Sequence, residues 1–159
     1  MKKIAVIGGG ISGLYIANLF RQNPDYEITI FERNNSVNSE KGYGIQLSVN
    51  SIKLLNKIGF QNIVLKEKFH PNKFDFYSLK NKKKICDLDL SIFNDIGAKY
   101  TTLQRSTLIN FLKSNLPDNL INYNKKVRSI NYKTKNIEII FEDNSIIESD
   151  YLIISDGVF

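Results

Sequence analysis

The sequence is poor in the residues that disulfides and metal sites need. Its 159 residues include one cysteine, Cys86, and one histidine, His70. A single cysteine excludes a disulfide within the chain, and these two residues make no cluster at metal-ligand spacing. No apolar run approaches the roughly 18 residues of a membrane-crossing helix. We therefore expect no metal and no transmembrane segment.

The sequence also shows no targeting segment and only one short basic run. MKKIAVIG leads straight into a first strand, with no room for a signal peptide, so we expect a cytoplasmic protein. The net charge of +6 would suit nucleic acid or an anionic membrane. The one dense basic run, KNKKK at 80–84, falls where a hairpin turn is expected, so we predict a solvated turn and no nucleic-acid partner.

The first motif is the stretch IAVIGGGISGLYIANLF at 4–20. Its unbroken apolar start is typical of a strand buried on both faces of a parallel sheet. Gly8, Gly10 and Gly13 follow at G-x-G-x-x-G spacing, and the apolar residues after them recur at helical intervals. The glycines are therefore predicted to form a strand-to-helix turn.

Each glycine has a separate purpose in a turn of this kind. Gly8 permits the tight bend, Gly10 lets a pyrophosphate approach the backbone, and Gly13 lets helix and strand pack closely. The phosphates would lie on the open amides of the helix N-terminus, where Ser12 adds a hydroxyl. The pattern predicts a dinucleotide site.

An acid at the end of the next strand strengthens that prediction. Glu32 follows the apolar run Ile28–Phe31 and lies 19 residues after Gly13. A ribose-binding carboxylate is expected at a spacing of about 20 residues. Its charge argues against a bound 2′-phosphate. The alternative is a structural glycine turn without a ligand and a glutamate that only ends a strand.

The middle of the chain departs from a simple repeat of this unit. After the polar loop RNNSVNSEKGYG, the stretch IQLSVNSIKLLNKIGF predicts a short amphipathic helix that ends near Gly59. KFDFYSLK and KKICDLDL predict an antiparallel hairpin, in which Cys86 alternates with leucines and is expected to be a small buried side chain.

A second helix and a set of short strands complete the chain. LQRSTLINFLKSNLP predicts a helix with Arg105 at its start, Ser106 or Thr107 as its cap and Pro117 at its end. Four segments then predict a β-meander, namely LINY, KKVRSINY, IEIIFED and SIIESD.

YLIISDG repeats the design of the first strand, since an apolar run stops at Asp156 and Gly157. Ligands in open parallel sheets collect beyond the carboxyl ends of the strands. We therefore expect three such ends to meet, at the glycine turn, at Glu32 with Arg33, and at Asp156 with Gly157.

The order of these motifs resembles that of the class A flavin monooxygenases, the aromatic hydroxylases of the para-hydroxybenzoate hydroxylase type. GGGISG matches the family's glycine fingerprint and Glu32 in FER its ribose-binding acid. GYGIQLSVNSIKLLNKIGF is similar to its next segment, LQRSTLINFL to its arginine-led helix and YLIISDGVF to its Asp-Gly motif. The resemblance implies an α/β, Rossmann-like FAD-binding domain of the glutathione reductase type, with a parallel sheet, a β-meander and an inserted antiparallel hairpin.

The same resemblance implies FAD as cofactor, with NADPH or NADH as electron donor in the intact family. It places Arg33 near the adenosine, the backbone of Val127 at the adenine and Arg105 facing the flavin. It assigns Asp156 and Gly157 to both FAD and NADPH binding. The expected cofactor-binding set is Gly8, Gly10, Ser12, Gly13, Glu32, Arg33, Arg105, Val127, Asp156 and Gly157.

The resemblance also implies that the chain is incomplete. Family members continue well beyond the Asp-Gly motif, so we expect 1–159 to be an FAD-binding domain without its last part, with 60–100 starting the substrate-domain sheet. A truncated or split gene, or a cut piece, would explain this. A separately encoded C-terminal half is then a candidate partner, and the substrate cannot be identified.

The function implied is the FAD-binding N-terminal portion of an NAD(P)H-using monooxygenase of aromatic or related substrates. Two alternatives stay open: another FAD-dependent oxidoreductase of the superfamily, such as a reductase or halogenase, and a truncated, non-catalytic nucleotide-binding remnant. No residue is assigned as a catalytic acid or base. His70 stands alone before Pro71 in a loop and is expected to be structural or solvent-facing.

Overall fold

The computed structural model describes residues 1–37, 43–94 and 97–157. The chain divides into two compact units, one made of Met1–Lys41 with Leu108–Phe159 and the other of Gly42–Thr107. Residues 38–42, the middle of the polar loop expected after Arg33, lie outside the described residues. No helix within the described ranges is long and apolar enough to cross a membrane.

The described residues form twelve strands and three α-helices. Strands β1 to β12 cover, in chain order, Lys2–Ile7, Tyr26–Phe31, Gly44–Leu47, Lys68–Phe69, Lys73–Tyr77, Lys84–Asp89, Thr101–Gln104, Ile121–Asn122, Val127–Tyr132, Ile137–Phe141, Ile146–Ser149 and Tyr151–Ile154. Helices α1, α2 and α3 cover Ile11–Phe20, Val49–Asn56 and Arg105–Ser114.

The first unit is built on a parallel sheet with the strand order β12-β1-β2-β8. Ile4 in the central strand β1 is in register with Tyr151 on one side and Ile28 on the other. Val6 in the same strand has no exposed surface. The predicted parallel strand, buried on both faces, is confirmed.

Helix α1 packs through fully buried Leu14 and Ala17. Asn18 is also buried, and its Nδ2 donates to the carbonyl oxygens of Leu14, at 2.9 Å, and Leu112, at 2.8 Å. Because a buried amide is costly without hydrogen bonds, these two contacts let a polar side chain join α1 to the buried face of α3.

Helix α3 begins at Arg105, so the predicted cap at Ser106 or Thr107 is wrong. Both residues lie inside the first helical turn. Strand β7 runs directly into the helix, and the Arg105 N–H donates to the carbonyl of Tyr43 at 3.1 Å. A neighbouring backbone carbonyl thus satisfies a first-turn donor of the helix. The predicted apolar face is confirmed, with three buried residues: Leu108, Ile109 and Leu112.

The meander prediction is confirmed for three strands and wrong for the fourth. Strands β9, β10 and β11 pair antiparallel in sequence order. Phe141 of this sheet is fully buried, and its ring centroid lies 5.0 Å from that of Phe31. The LINY segment instead supplies β8, which pairs parallel with β2 through Ile121. Two paired residues are too few to show a period from which their sheet could be predicted.

The second unit contains the antiparallel sheet β3-β7-β4, helix α2 and the separate hairpin β5-β6. The predicted hairpin and helix are confirmed, and Gly59, with φ of +91°, follows the helix end. The prediction that Cys86 is buried is wrong, because every residue of β6 is exposed. Alternation predicts one covered face, but within the described residues no second layer covers this strand.

Two glycines of the first turn occupy positions without room for a side chain. Gly8 has φ of +104°, and a Cβ there would lie 2.3 Å from the carbonyl oxygen of Ser155. A Cβ on Gly13 would lie 2.0 Å from the carbonyl oxygen of Gly8. A Cβ on Gly10 would meet no atom of the described residues within 4 Å. The turn therefore has two tightly packed glycines and one that faces open space.

Asp150 joins the start of β1 to the turn before β12. Its Oδ1 accepts from Lys2 Nζ at 2.7 Å, and its Oδ2 accepts from the Lys3 N–H at 2.8 Å. The hydrogen bond from Lys2 is the main cause that lowers the pKa of Asp150, and its counterpart raises the pKa of Lys2. These bonds form at the surface, between the first and last strands of the unit.

We expect Gly13→Ala to destabilise the protein far more than Gly10→Ala. A Cβ at position 13 must displace backbone, at a typical overpacking cost of about 1–3 kcal/mol. Alanine at position 10 fits sterically and costs only what a poorer helix cap costs, about 1 kcal/mol or less. Urea unfolding of both variants without ligand measures the difference. Equal losses of unfolding free energy would contradict the close packing of α1.

We expect Asp150→Asn to reduce the amount by which the free energy of unfolding falls as the pH is lowered. The pKa of Asp150 is lowered on folding, so its contribution is present above the unfolded value, about 3.9, and is lost as the pH falls through the folded value. Urea midpoints from pH 7 to pH 3 should decline less steeply in the variant. Asp118→Asn, a surface change in the same unit, is the control, and superimposable profiles for Asp150→Asn and wild type would contradict the assignment.

Candidate functional site

Three strand ends meet at one edge of the parallel sheet. Because β12, β1 and β2 are adjacent and parallel, their carboxyl ends lie side by side. Gly8, Glu32, Arg33 and Asp156 all line one cleft of about 200 Å³ there. The structure thus brings together the three ends that the sequence led us to expect at one place.

Helix α1 begins three residues after Gly8, which lines this cleft. Gly10 precedes the helix, no side chain caps it, and no acid lies in the first turn. Ser12 is exposed in that turn. Unpaired amides at a helix N-terminus, with the positive end of the helix dipole, favour an anion. Together with the open space at Gly10, this arrangement suits a phosphate close to the backbone.

Glu32 is bound into the structure more tightly than the sequence suggests. It is only 8% exposed. Its Oε2 accepts from the Gly9 N–H at 2.6 Å, while its Oε1 accepts from the backbone N–H and from Nδ2 of Asn34, at 2.9 and 2.7 Å. The carboxylate therefore braces the glycine turn from the end of β2, in addition to lining the cleft.

The remaining predicted residues of the first unit lie around the same cleft. Arg33 is exposed at its rim, and Val127 at the start of β9 is half-buried in its wall. Asp156 is exposed after β12, and Gly157 follows it in the chain. Arg105 belongs to the second unit, where it is the first residue of α3 and is half-buried.

Two lysines of the cleft were not predicted from the sequence. Lys125 and Lys126 line it next to Val127. Lys125 Nζ donates to Asp143 Oδ2 at 2.5 Å, a bond that holds the pKa of Asp143 well below its usual range. Lys126 Nζ lies 2.8 Å from Glu142 Oε1. The only sequence signal was the adjacent pair KK at the start of the predicted strand KKVRSINY, and such pairs are common on protein surfaces.

The lone histidine has a structural environment. His70 Nδ1 lies 3.1 Å from Thr101 Oγ1 and 3.3 Å from the Tyr100 carbonyl oxygen. Contacts to a hydroxyl and a backbone carbonyl hold the ring in place and supply no charged partner for acid–base chemistry. In the described part of the chain, no group of three histidine, cysteine or acidic residues is placed to hold a metal.

Sequence comparisons point to one class of enzymes. Residues 6–41 match the model of the NAD(P)-binding Rossmann-like domain. The chain is 27% identical to 6-hydroxynicotinate 3-monooxygenase of Pseudomonas fluorescens over 98% of its own length and 40% of that protein. It is 21% identical to a salicylate hydroxylase of Pseudomonas putida, over 98% of its length and 36% of that enzyme.

Solved structures agree on the fold. The structure of Klebsiella pneumoniae HpxO complexed with FAD and uric acid superposes with a TM-score of 0.82 at 20% identity, covering 98% of this chain and 39% of that one. The 2,6-dihydroxypyridine-3-hydroxylase of Arthrobacter nicotinovorans gives a TM-score of 0.79 at 18% identity, over 98% of this chain and 37% of that one.

This chain spans about two fifths of the length of the curated relatives it matches. Over nearly all of its own length, both the sequence and the arrangement of strands follow theirs. The predicted fold class is therefore confirmed. So is the family resemblance: over nearly all of its length the chain is similar to part of several FAD-dependent monooxygenases, and it has a Rossmann-like fold.

Proposed function

We propose that this chain binds FAD in the cleft beside α1 and forms the FAD-binding portion of an NAD(P)H-using monooxygenase of aromatic or related substrates. One observation carries the proposal. The glycine turn that leads to an open helix N-terminus and the acid at the end of β2 meet at a single cleft, which Gly8 and Glu32 line. A dinucleotide needs both features, one for its pyrophosphate and one for its ribose.

The turn and its surroundings fit the pyrophosphate. Gly10 leaves the backbone open to close approach, and the Ser12 hydroxyl adds a donor. Gly8 and Gly13 shape the turn without lying in the way of the ligand. Arg33 brings a cationic side chain to the cleft lining, which favours phosphates. The charges of Lys125 and Lys126 are balanced by Asp143 and Glu142.

The proposed roles of the other residues rest on the resemblance together with their positions. Glu32 would accept a hydrogen bond from the adenosine ribose, with Arg33 and the backbone of Val127 beside the adenosine. Asp156 and Gly157 would contact FAD and the nicotinamide donor, and Arg105 would face the flavin. Gly8, Glu32, Arg33, Val127 and Asp156 all line the cleft, which supports a shared ligand.

Bound FAD would supply the redox chemistry, with NADPH or NADH as reductant and molecular oxygen as source of the inserted atom. The residues described above bind and orient the cofactor, and none of them is proposed as a catalytic acid or base. The substrate stays unassigned.

We also propose that residues 1–159 form an FAD-binding domain in which residues 60–100 begin the substrate-domain sheet. A cytoplasmic location is part of the same proposal.

Strand β12 is an outer strand of its sheet, with Tyr151 and Ile154 each about half exposed. Such apolar surface suits contact with further protein. We propose that it is covered by a polypeptide equivalent to the rest of the relatives, for example a separately encoded half.

We expect Gly10→Val to weaken FAD binding without unfolding the protein. Because the position is open, valine fits the free protein, but its methyl groups occupy the space that the pyrophosphate needs. Titration of FAD, followed by quenching of flavin fluorescence, should show at least about a tenfold loss of affinity, the effect of about 1.4 kcal/mol.

The free energy of unfolding of the ligand-free Gly10→Val variant should stay within about 1 kcal/mol of the wild-type value. Lys135→Ala, in the exposed turn between β9 and β10, should keep both affinity and stability. Wild-type protein that is folded but does not bind FAD would refute the proposed function. Unchanged affinity in Gly10→Val would show that the phosphates lie elsewhere.

A further inference from the structure

The Glu32 carboxylate has limited capacity for a ligand. An ionised carboxylate offers about four lone-pair positions, two on each oxygen. Two N–H donors of Asn34, one backbone and one side-chain, occupy Oε1, and the Gly9 N–H takes one position on Oε2. Among the described residues, no other hydrogen bond reaches this carboxylate. One acceptor position, on Oε2, is left.

The backbone around Glu32 keeps this arrangement in place. The Glu32 N–H donates to the Asn122 carbonyl, and the Lys125 N–H donates to the Glu32 carbonyl, both at 2.9 Å. The Asn124 N–H donates to the Asn34 carbonyl at 3.1 Å. The backbone of residues 32–34 is thus fastened to residues 122–125, and this holds the Asn34 backbone N–H against Oε1.

Gly9 closes the other side of the carboxylate. A Cβ on Gly9 would lie 3.1 Å from Oε2 and 3.2 Å from Val37 Cγ2. The backbone therefore approaches Oε2 more closely than an ordinary side chain would allow. An ionised carboxylate donates no hydrogen bond, and the second lone pair of Oε2 is the acceptor position of Glu32 that no described residue occupies.

We infer that Asn34 is a positioning residue that restricts Glu32 to one hydroxyl of the bound adenosine ribose. The inference rests on the proposed dinucleotide function and deepens it. To accept hydrogen bonds from both ribose hydroxyls, Glu32 would need two free acceptor positions, and Asn34 occupies those on Oε1. Glu32 therefore distinguishes nucleotides by the presence of one ribose hydroxyl. The other ribose hydroxyl makes no difference to the hydrogen bonding of Glu32.

Calorimetric titration of the full chain with ADP, 2′-deoxy-ADP and 3′-deoxy-ADP tests this inference. One deoxy analogue should bind at least about tenfold more weakly than ADP, since it lacks a hydrogen bond to a charged acceptor. The other should bind within about threefold of ADP, which is less than the effect of one such bond. Asn34→Ala frees a position on Oε1 and should bring the two analogues closer together in affinity.

Asn35→Ala is the matched control, because Asn35 is the exposed neighbour of Asn34 and does not touch the carboxylate. It should keep the wild-type pattern. Each comparison is made between ligands on one protein, so a loss of stability in a variant cancels.

Two results would overturn the inference while leaving the proposed function intact. In the first, both analogues are weakened equally in wild type. In the second, their affinity ratio is unchanged in Asn34→Ala. A chain that binds neither ADP nor FAD would refute the proposed function and the inference with it.

Discussion

The contact between α1 and the glycine turn is the constraint on which the site depends. Gly13 lies so close to the Gly8 carbonyl that any side chain would collide with it. This contact sets where the helix begins relative to the end of β1, and so where its open amides point. Ser155, the residue after β12, strengthens it, because its hydroxyl donates to the Ile7 carbonyl at 2.9 Å. The geometry of the proposed phosphate site is therefore fixed by packing behind it.

Much of the fold could be predicted because local patterns and architecture agree. Between Ile4 and Phe20, an unbroken apolar run is followed by three spaced glycines and then by a helical period. In this order the three patterns together favour one structure, a buried strand that turns into a helix. Cys86 shows the limit of such patterns. Its alternation with leucines is real, yet burial depends on a covering layer that no local pattern encodes.

The candidate site shows the same division between local and distant information. Glu32 could be found because its distance along the chain from the glycines reflects a fixed architecture. Its bonds to Gly9 and Asn34 could not, because they depend on how a loop folds back on its strand. Lys125 reaches the cleft from a segment more than ninety residues further along the chain, and only tertiary structure places it there.

The outer position of β12 has a consequence for handling the protein. An outer strand presents a row of backbone groups that can pair with another chain, and flat apolar strands are especially prone to do so. β12 reads YLII, has no charge or proline to interrupt it, and leaves Ile154 half exposed. Purified chain at high concentration is thus open to edge-to-edge association through this strand.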